Sequence, residues 1–286
     1  MNEFVIYTDS SSDLPKSLAD ALGVKLISLE VNMEGDLKLN DEIDIKEFYA
    51  YLRAKHGAKT SAINIDRFTE VFEAELKEGR DVLYIAFSSG LSATYMQAVN
   101  AAEDLAEKYT DAKVVVVDSL CASLGQGLLV KLAADKKNSG ANIEAVAAFV
   151  EETKHNLAHW FTVEDLFFLK RGGRVSAATA VVGTMLQIKP VLHVDDDGKL
   201  VSVDKARGRQ GSLKALFDKM KESAIDPADQ TVFISHGDCY DDAKKLADMI
   251  TAELGVKDIL ISEIGPVIGA HSGPGTVALF FLGKNR

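Results

Sequence analysis

Asp81-Val-Leu-Tyr-Ile-Ala-Phe-Ser-Ser-Gly-Leu-Ser-Ala-Thr94 decides the reading of this chain. Asp81–Phe87 is a short run rich in β-branched and aromatic residues, which predicts a buried strand. The Ser- and Gly-rich turn behind it feeds a helix, so the segment is one strand–loop–helix step. Lys113–Asp118 repeats the step, with Asp118–Ser123 as its loop. Phe4–Thr8 makes it upstream, through the polar turn Asp9-Ser-Ser-Ser-Asp13 and a helix with Pro15 near its first turn. Val24–Val31 reads as a further strand. Asp44–Lys55 places Ile45, Phe48, Tyr49 and Leu52 at helical spacing. A helix capped by Asp66 does the same with Phe68, Val71, Phe72 and Leu76. Such alternation predicts βαβ units and a Rossmann-like parallel sheet.

The second half has a different rhythm. His159–Val163 reads as a strand, and Glu164–Lys170 as a short helix ended by Gly172-Gly173. Val191–Val194 and Lys199–Val203 flank Asp195-Asp-Asp-Gly198 as a hairpin. Helices from about Ser212 and Asp241 then alternate with strands at Thr231–Ser235, Asp258–Ile264 and Thr276–Leu282. The change puts a domain boundary near residue 156. The expected fold is α/β in two domains: 1–156 with a parallel sheet, and 157–286 with a mixed sheet.

The 286 residues include 32 Lys+Arg against 43 Asp+Glu, a formal net charge of −11. With 47% hydrophobic and 26% charged residues, the composition is that of a globular protein and excludes collagen-like and disordered classes. The acidic balance argues against nucleic acid as the main partner, since phosphate binding wants a basic stripe. Apolar runs of about ten residues fall short of the roughly 20 that span a bilayer, so no stable membrane insertion is expected. The start, MNEFVIYTD, lacks the features of a leader. Cys121 and Cys239 have no metal-binding spacing and read as reduced thiols of a cytoplasmic protein.

Four polar loops stand where strands run out: Asp9–Asp13, Thr60–Asn64, Ser88–Thr94 and Asp118–Ser123. Ligands of open parallel sheets bind at that edge, and such loops offer hydroxyls and free N–H groups to an anion. Each loop alone could simply cap its helix; four at one edge favour an anion site. The glycine motifs of nucleotide sites are missing. Gly90-Leu-Ser-Ala-Thr94 approaches a nucleophile elbow, with Thr94 in place of its last glycine. A serine esterase or thioesterase using Ser92, with His271 or His236 as base, is therefore the alternative reading. His236-Gly-Asp-Cys239 offers no third metal ligand, and no metal is expected. Lys170-Arg-Gly-Gly-Arg174 either touches a phosphate or acidic protein, or is a glycine cap among solvated charges. Gly265-Pro-Val-Ile-Gly-Ala-His-Ser-Gly-Pro-Gly275 holds four glycines and two prolines in eleven residues, which fixes a loop around His271. His271 there either meets a ligand or braces the loop.

Together these stretches, with Thr8-Asp-Ser-Ser-Ser-Asp-Leu-Pro15, Ser88–Tyr95, Val117-Asp-Ser119 and Ile188-Lys-Pro190, resemble the DegV family of bacterial fatty-acid-binding proteins. They run in family order over nearly the whole chain. The resemblance implies a two-domain DegV-like fold that holds one long-chain fatty acid between its domains, without a cofactor. It implies that the carboxylate meets the threonine of a Thr-Ser-Gln-Pro motif, here Thr60 followed by Ser61, and the loop serine, here Ser92. It also implies roles for His271 and for a basic residue after the hairpin, here Arg207. Some members present the carboxylate to a separate ATP-dependent fatty acid kinase subunit, and Lys170, Arg171 and Arg174 would then dock that partner. Two positions depart from the family pattern: Thr60-Ser-Ala-Ile63 lacks the Gln and Pro, and Leu91-Ser-Ala-Thr94 has Ala93 for glycine. Burying about 14 methylenes at roughly 0.8 kcal/mol each offers on the order of 11 kcal/mol before losses. The tail would therefore supply most of the affinity, and polar groups would orient the head.

Overall fold

The computed structural model describes residues 2–176 and 187–286. The first sheet is four-stranded and parallel, in the order β2-β1-β6-β7, from β1 (Phe4–Asp9), β2 (Val24–Ile27), β6 (Asp81–Ala86) and β7 (Val114–Asp118). The last sheet is six-stranded and mixed. It combines β8 (Leu157–Thr162), β9 (Ile188–Val194), β10 (Leu200–Arg207), β11 (Thr231–His236), β12 (Asp258–Glu263) and β13 (Val277–Leu282) in the order β10-β9-β8-β13-β11-β12. Helices α1 (Lys16–Leu22), α2 (Ile45–Arg53), α3 (Ile65–Lys77), α4 (Thr94–Ala106), α5 (Leu124–Asn138) and α6 (Ile143–Thr153) belong to the first half. The second half adds α7 (Phe167–Arg171), α8 (Gly208–Ser223), α9 (Tyr240–Leu254) and α10 (Pro266–Ser272).

Four expectations change. Val24–Val31 is not one strand: β2 ends at Ile27, and the Leu29 N–H is taken by Ser10 Oγ at 2.9 Å, outside any ladder. β3 (Glu30–Met33) instead joins β4 (Asp36–Leu39) and β5 (Ala58–Ser61) in a small antiparallel sheet. Thr60 therefore lies on a strand, paired with Val31, and not in a loop. The Gly/Pro segment is not a loop throughout, because it contains α10, opened by Gly265 with Pro266 at its first helical position. The cap of α3 is Asn64, whose side chain accepts the Arg67 N–H at 2.8 Å, two residues before Asp66.

α5 joins the two large sheets. Leu124, Leu128, Leu129, Val130, Ala133 and Ala134 are all buried, so this helix is apolar around most of its circumference. It packs in one cluster with Ile6, Leu83 and Ile85 of the parallel sheet and Phe161, Phe233 and Phe280 of the mixed sheet. One of the hydrophobic clusters thus runs through both halves.

The start of α10 is held from the first half. Asp13 Oδ1 accepts the Gly265 N–H at 2.8 Å, Asn40 Oδ1 accepts the Val267 N–H at 2.9 Å, and Tyr49 Oη donates to the Ile264 carbonyl at 2.8 Å. Burial pushes the Asp13 carboxyl up to about 7, although Ser123 and Gly265 donate to it. The folded chain therefore binds this proton more tightly than the unfolded chain, whose carboxyl titrates near 4. Asp13 contributes its full stability below about pH 4 and loses it as pH rises to about 7. Asp13→Asn keeps an acceptor for Gly265 and removes the titration. Its unfolding free energy relative to wild type should rise by roughly 2–4 kcal/mol between these limits. Urea unfolding across that range checks this, and parallel pH curves for the two proteins would contradict it.

Candidate functional site

The cavity that gathers the candidate residues has a volume of about 270 Å³ and lies where α10 faces β8 and β13. Cross-strand register builds its apolar wall. Phe280 pairs with His159 and Ala278 with Phe161, and alternate residues of neighbouring strands point to one face. Val267 and Ile268 of α10 line it as well, and Leu91 and Ser92 enter from the loop before α4.

The polar end is made by Thr60, Ser92, His271 and Arg174. Thr60 Oγ1 and His271 Nε2 share a hydrogen bond of 2.8 Å. The opposite ring nitrogen, Nδ1, is buried without a polar partner among the described residues. Gly172 makes this position possible, since a Cβ there would stand 2.1 Å from Nδ1. Burial, with Arg174 and Arg171 nearby, pulls the imidazole down to about 4, so it is neutral at pH 7. Ser92 Oγ lies 2.9 Å from Thr94 Oγ1 and accepts the Thr94 N–H at 3.2 Å. This serine both braces the start of α4 and lines the cavity.

Arg174, which the basic cluster places among the partner-docking residues, turns inward. Its Nε and Nη2 donate to the Leu91 carbonyl at 3.2 and 2.9 Å, and Nη1 donates to the Gly172 carbonyl. Among the described residues all its hydrogen bonds go to neutral carbonyls. A half-buried cation that the described residues meet with carbonyl dipoles, beside two hydroxyls, fits a ligand monoanion. The reason for the inward turn is local: Gly173 at a φ of 72° reverses the chain between the end of α7 and Arg174.

The other predicted residues separate. Ser61 is exposed on β5, on the opposite face from Thr60, and does not line the cavity. Arg207 is exposed at the far end of β10, where its strand pairs with Ile188, and it too lies outside the lining. Lys170 is exposed on α7. Arg171 lies over the Phe168 ring at 4.9 Å and borders a neighbouring depression of about 660 Å³. That depression shares Thr60, His271 and Arg174 with the cavity and adds Lys59 and Glu34. The Asp9–Asp13 loop lines neither of the two; its polar side chains bond to Leu29, Tyr84, Phe87, Ser123, Gln126 and Gly265 as well as within the loop. Asp118–Ser123 contributes Ala122 and Ser123 to the wall.

Among the described residues no serine–histidine pair is assembled. His271 Nε2 is engaged by Thr60, Ser92 by Thr94, and His236 sits at the end of β11 accepting the Cys239 N–H at 3.3 Å. A nucleophile needs its base within hydrogen-bond reach, and the esterase geometry is absent from this arrangement.

Comparison with known proteins fits this architecture. A family profile described as "Uncharacterised protein, DegV family" matches residues 3–284. The chain belongs to the DegV family. A DegV domain-containing protein of Clostridium perfringens is 47% identical over 289 residues, covering 100% of this chain and 99% of that protein. The structure of a DegV family protein from Thermus thermophilus, described by its fatty acid binding, superposes with a TM-score of 0.88 at 32% identity, covering 97% of this chain and 98% of that one. DegV from Bacillus subtilis, described as a fatty acid binding protein, gives 0.87 at 28% identity over 99% of this chain and 100% of that one. This DegV chain shares their mixed α/β fold. No helix among its described residues is long and apolar enough to cross a membrane. His159, Phe161, Ala278 and Phe280 went unassigned in the sequence, although alternation along His159–Val163 carried the signal for two of them.

Proposed function

We propose that this DegV-family protein binds one long-chain fatty acid between an N-terminal domain (1–156) and a C-terminal domain (157–286). The tail lies along the Phe161–Phe280 wall, and Thr60, Ser92, His271 and Arg174 meet the carboxylate. The observation that carries the reading is the Arg174 cation, which among the described residues donates only to carbonyls and which lines a mostly apolar cavity. A buried carboxylate is costly unless hydrogen-bonded and paired, and this end offers two hydroxyls and a cation. The relatives described as fatty acid binding proteins support the ligand class. The protein is a carrier in this reading, and it presents the carboxylate to a separate ATP-dependent fatty acid kinase subunit. The neighbouring depression with Lys59 and Arg171 supports that role, because it opens beside the head group and could receive a phosphoryl group.

Calorimetric titration with palmitate tests the binding. Ser92→Ala should weaken it by about 1–3 kcal/mol, the cost of leaving a charged acceptor short of a donor. Covalent labelling of Ser92 by a fluorophosphonate, with turnover of p-nitrophenyl esters, would instead establish an esterase. For the kinase, Lys170→Glu with Arg171→Glu should slow acyl-phosphate formation most at low salt and limiting kinase, with palmitate affinity near wild type. Equal turnover by variant and wild type would remove these two residues from docking.

A further inference from the structure

Gly125, in the first turn of α5, lies behind the cavity wall and is not among its lining residues. A Cβ built there would stand 2.1 Å from His159 Nε2 and 2.8 Å from Phe280 Cδ1, two side chains that do line the cavity. His159 is fixed in place. It is 1% exposed, its Nδ1 lies 2.9 Å from the Leu157 carbonyl, and its ring meets Phe280 edge-on at 5.2 Å. A carbonyl only accepts, so Nδ1 carries the hydrogen; the bare Nε2 has no polar partner among the described residues and rests against Gly125. α5 cannot back away. Gln126 Nε2 donates to Thr8 Oγ1 at 2.9 Å, and a Cβ on Gly127 would stand 2.9 Å from the Ser12 carbonyl. The space behind His159 is therefore closed to anything larger than glycine unless the wall moves into the cavity.

That wall stands away from the head group. Thr60, His271 and Arg174 also border the neighbouring surface depression, whereas His159 and Phe280 border only the cavity among the depressions described above. His159 and Phe280 are both buried in the middle of the mixed sheet.

We propose that Gly125 is a specificity-determining residue, which sets the longest acyl chain the cavity accepts by leaving the His159–Phe280 wall its room. The inference rests on the fatty-acid reading above. In Gly125→Ala the imidazole must retreat by more than about 1 Å to reach ordinary contact distance, roughly the length of one methylene. Each methylene that no longer fits should cost about fourfold in affinity.

The test titrates saturated acids from lauric to stearic into wild type and three variants. Gly125→Ala should move the preferred length toward shorter acids, and His159→Ala should move it toward longer ones. The double variant should return toward wild type, because the added methyl then occupies the vacated ring space. An unchanged length profile in folded Gly125→Ala would overturn the proposal. If that variant does not fold, an unchanged profile in His159→Ala would do so. Wild type that binds none of the acids would overturn the ligand reading as well, whereas normal binding with fixed length preference overturns only the role of Gly125.

Discussion

Arg174→Gln should lower the affinity for palmitate by about 2–5 kcal/mol, the range for removing one partner of a buried, hydrogen-bonded charge pair. Glutamine can still donate to the Leu91 carbonyl, so the turn after α7 keeps a tether while the positive charge is lost. The carboxylate would then face only the hydroxyls of Thr60 and Ser92 and a neutral imidazole. Arg174 also helps to hold His271 neutral. Its removal should let the imidazole protonate at higher pH and recover part of the lost affinity on mild acidification. Titration calorimetry at pH 8 and pH 6, beside unfolding curves, reads both effects. A loss of less than about twofold at pH 8 would mean that the hydroxyls alone hold the anion, and would remove Arg174 from the site.

The second large effect lies outside the site. Asp9→Ala should reduce the unfolding free energy by about 3–5 kcal/mol, because several buried donors lose one acceptor together. The fully buried Asp9 carboxylate accepts Tyr84 Oη at 2.6 Å, the Phe87 N–H at 3.0 Å, the Ser11 N–H at 3.0 Å and Gln126 Nε2 at 3.2 Å, as well as the Ser11 hydroxyl. Burial raises its pKa and these donors pull it back. Asp9→Asn keeps an acceptor and should lose less. Urea denaturation with palmitate absent measures the ordering, and an Asp9→Ala loss below about 1 kcal/mol would contradict it.

Asp9 shows where sequence reasoning stops. A polar turn after a strand at a sheet edge has the same residue types whether it binds a ligand or braces neighbouring elements, and Asp9-Ser-Ser-Ser-Asp13 does the second. β1, β6 and β7 were legible because each is a short β-branched run with a turn at its end. The three-stranded sheet was not, since β4 is exposed at every position and carries no pattern of burial. Thr60, Ser92 and His271, which the structure brings to one cavity, were singled out through motif resemblance. Arg174 was read with Lys170 and Arg171 as one basic cluster, because their spacing says nothing about the Gly173 turn that sends its side chain inward. Ser61 fails for a simpler reason: adjacent strand residues face opposite ways. α10 was hidden by its glycines, which serve close packing. A Cβ on Gly269 would stand 2.8 Å from Tyr49 Oη.

Native mass spectrometry of the protein purified from bacteria, with the released ligand identified, tests the central claim most directly. The account predicts a protein carrying one fatty acid per chain, retained in wild type and largely lost in Arg174→Gln at equal folded yield. A wild-type protein that carries no lipid and takes up none when palmitate is added would contradict it.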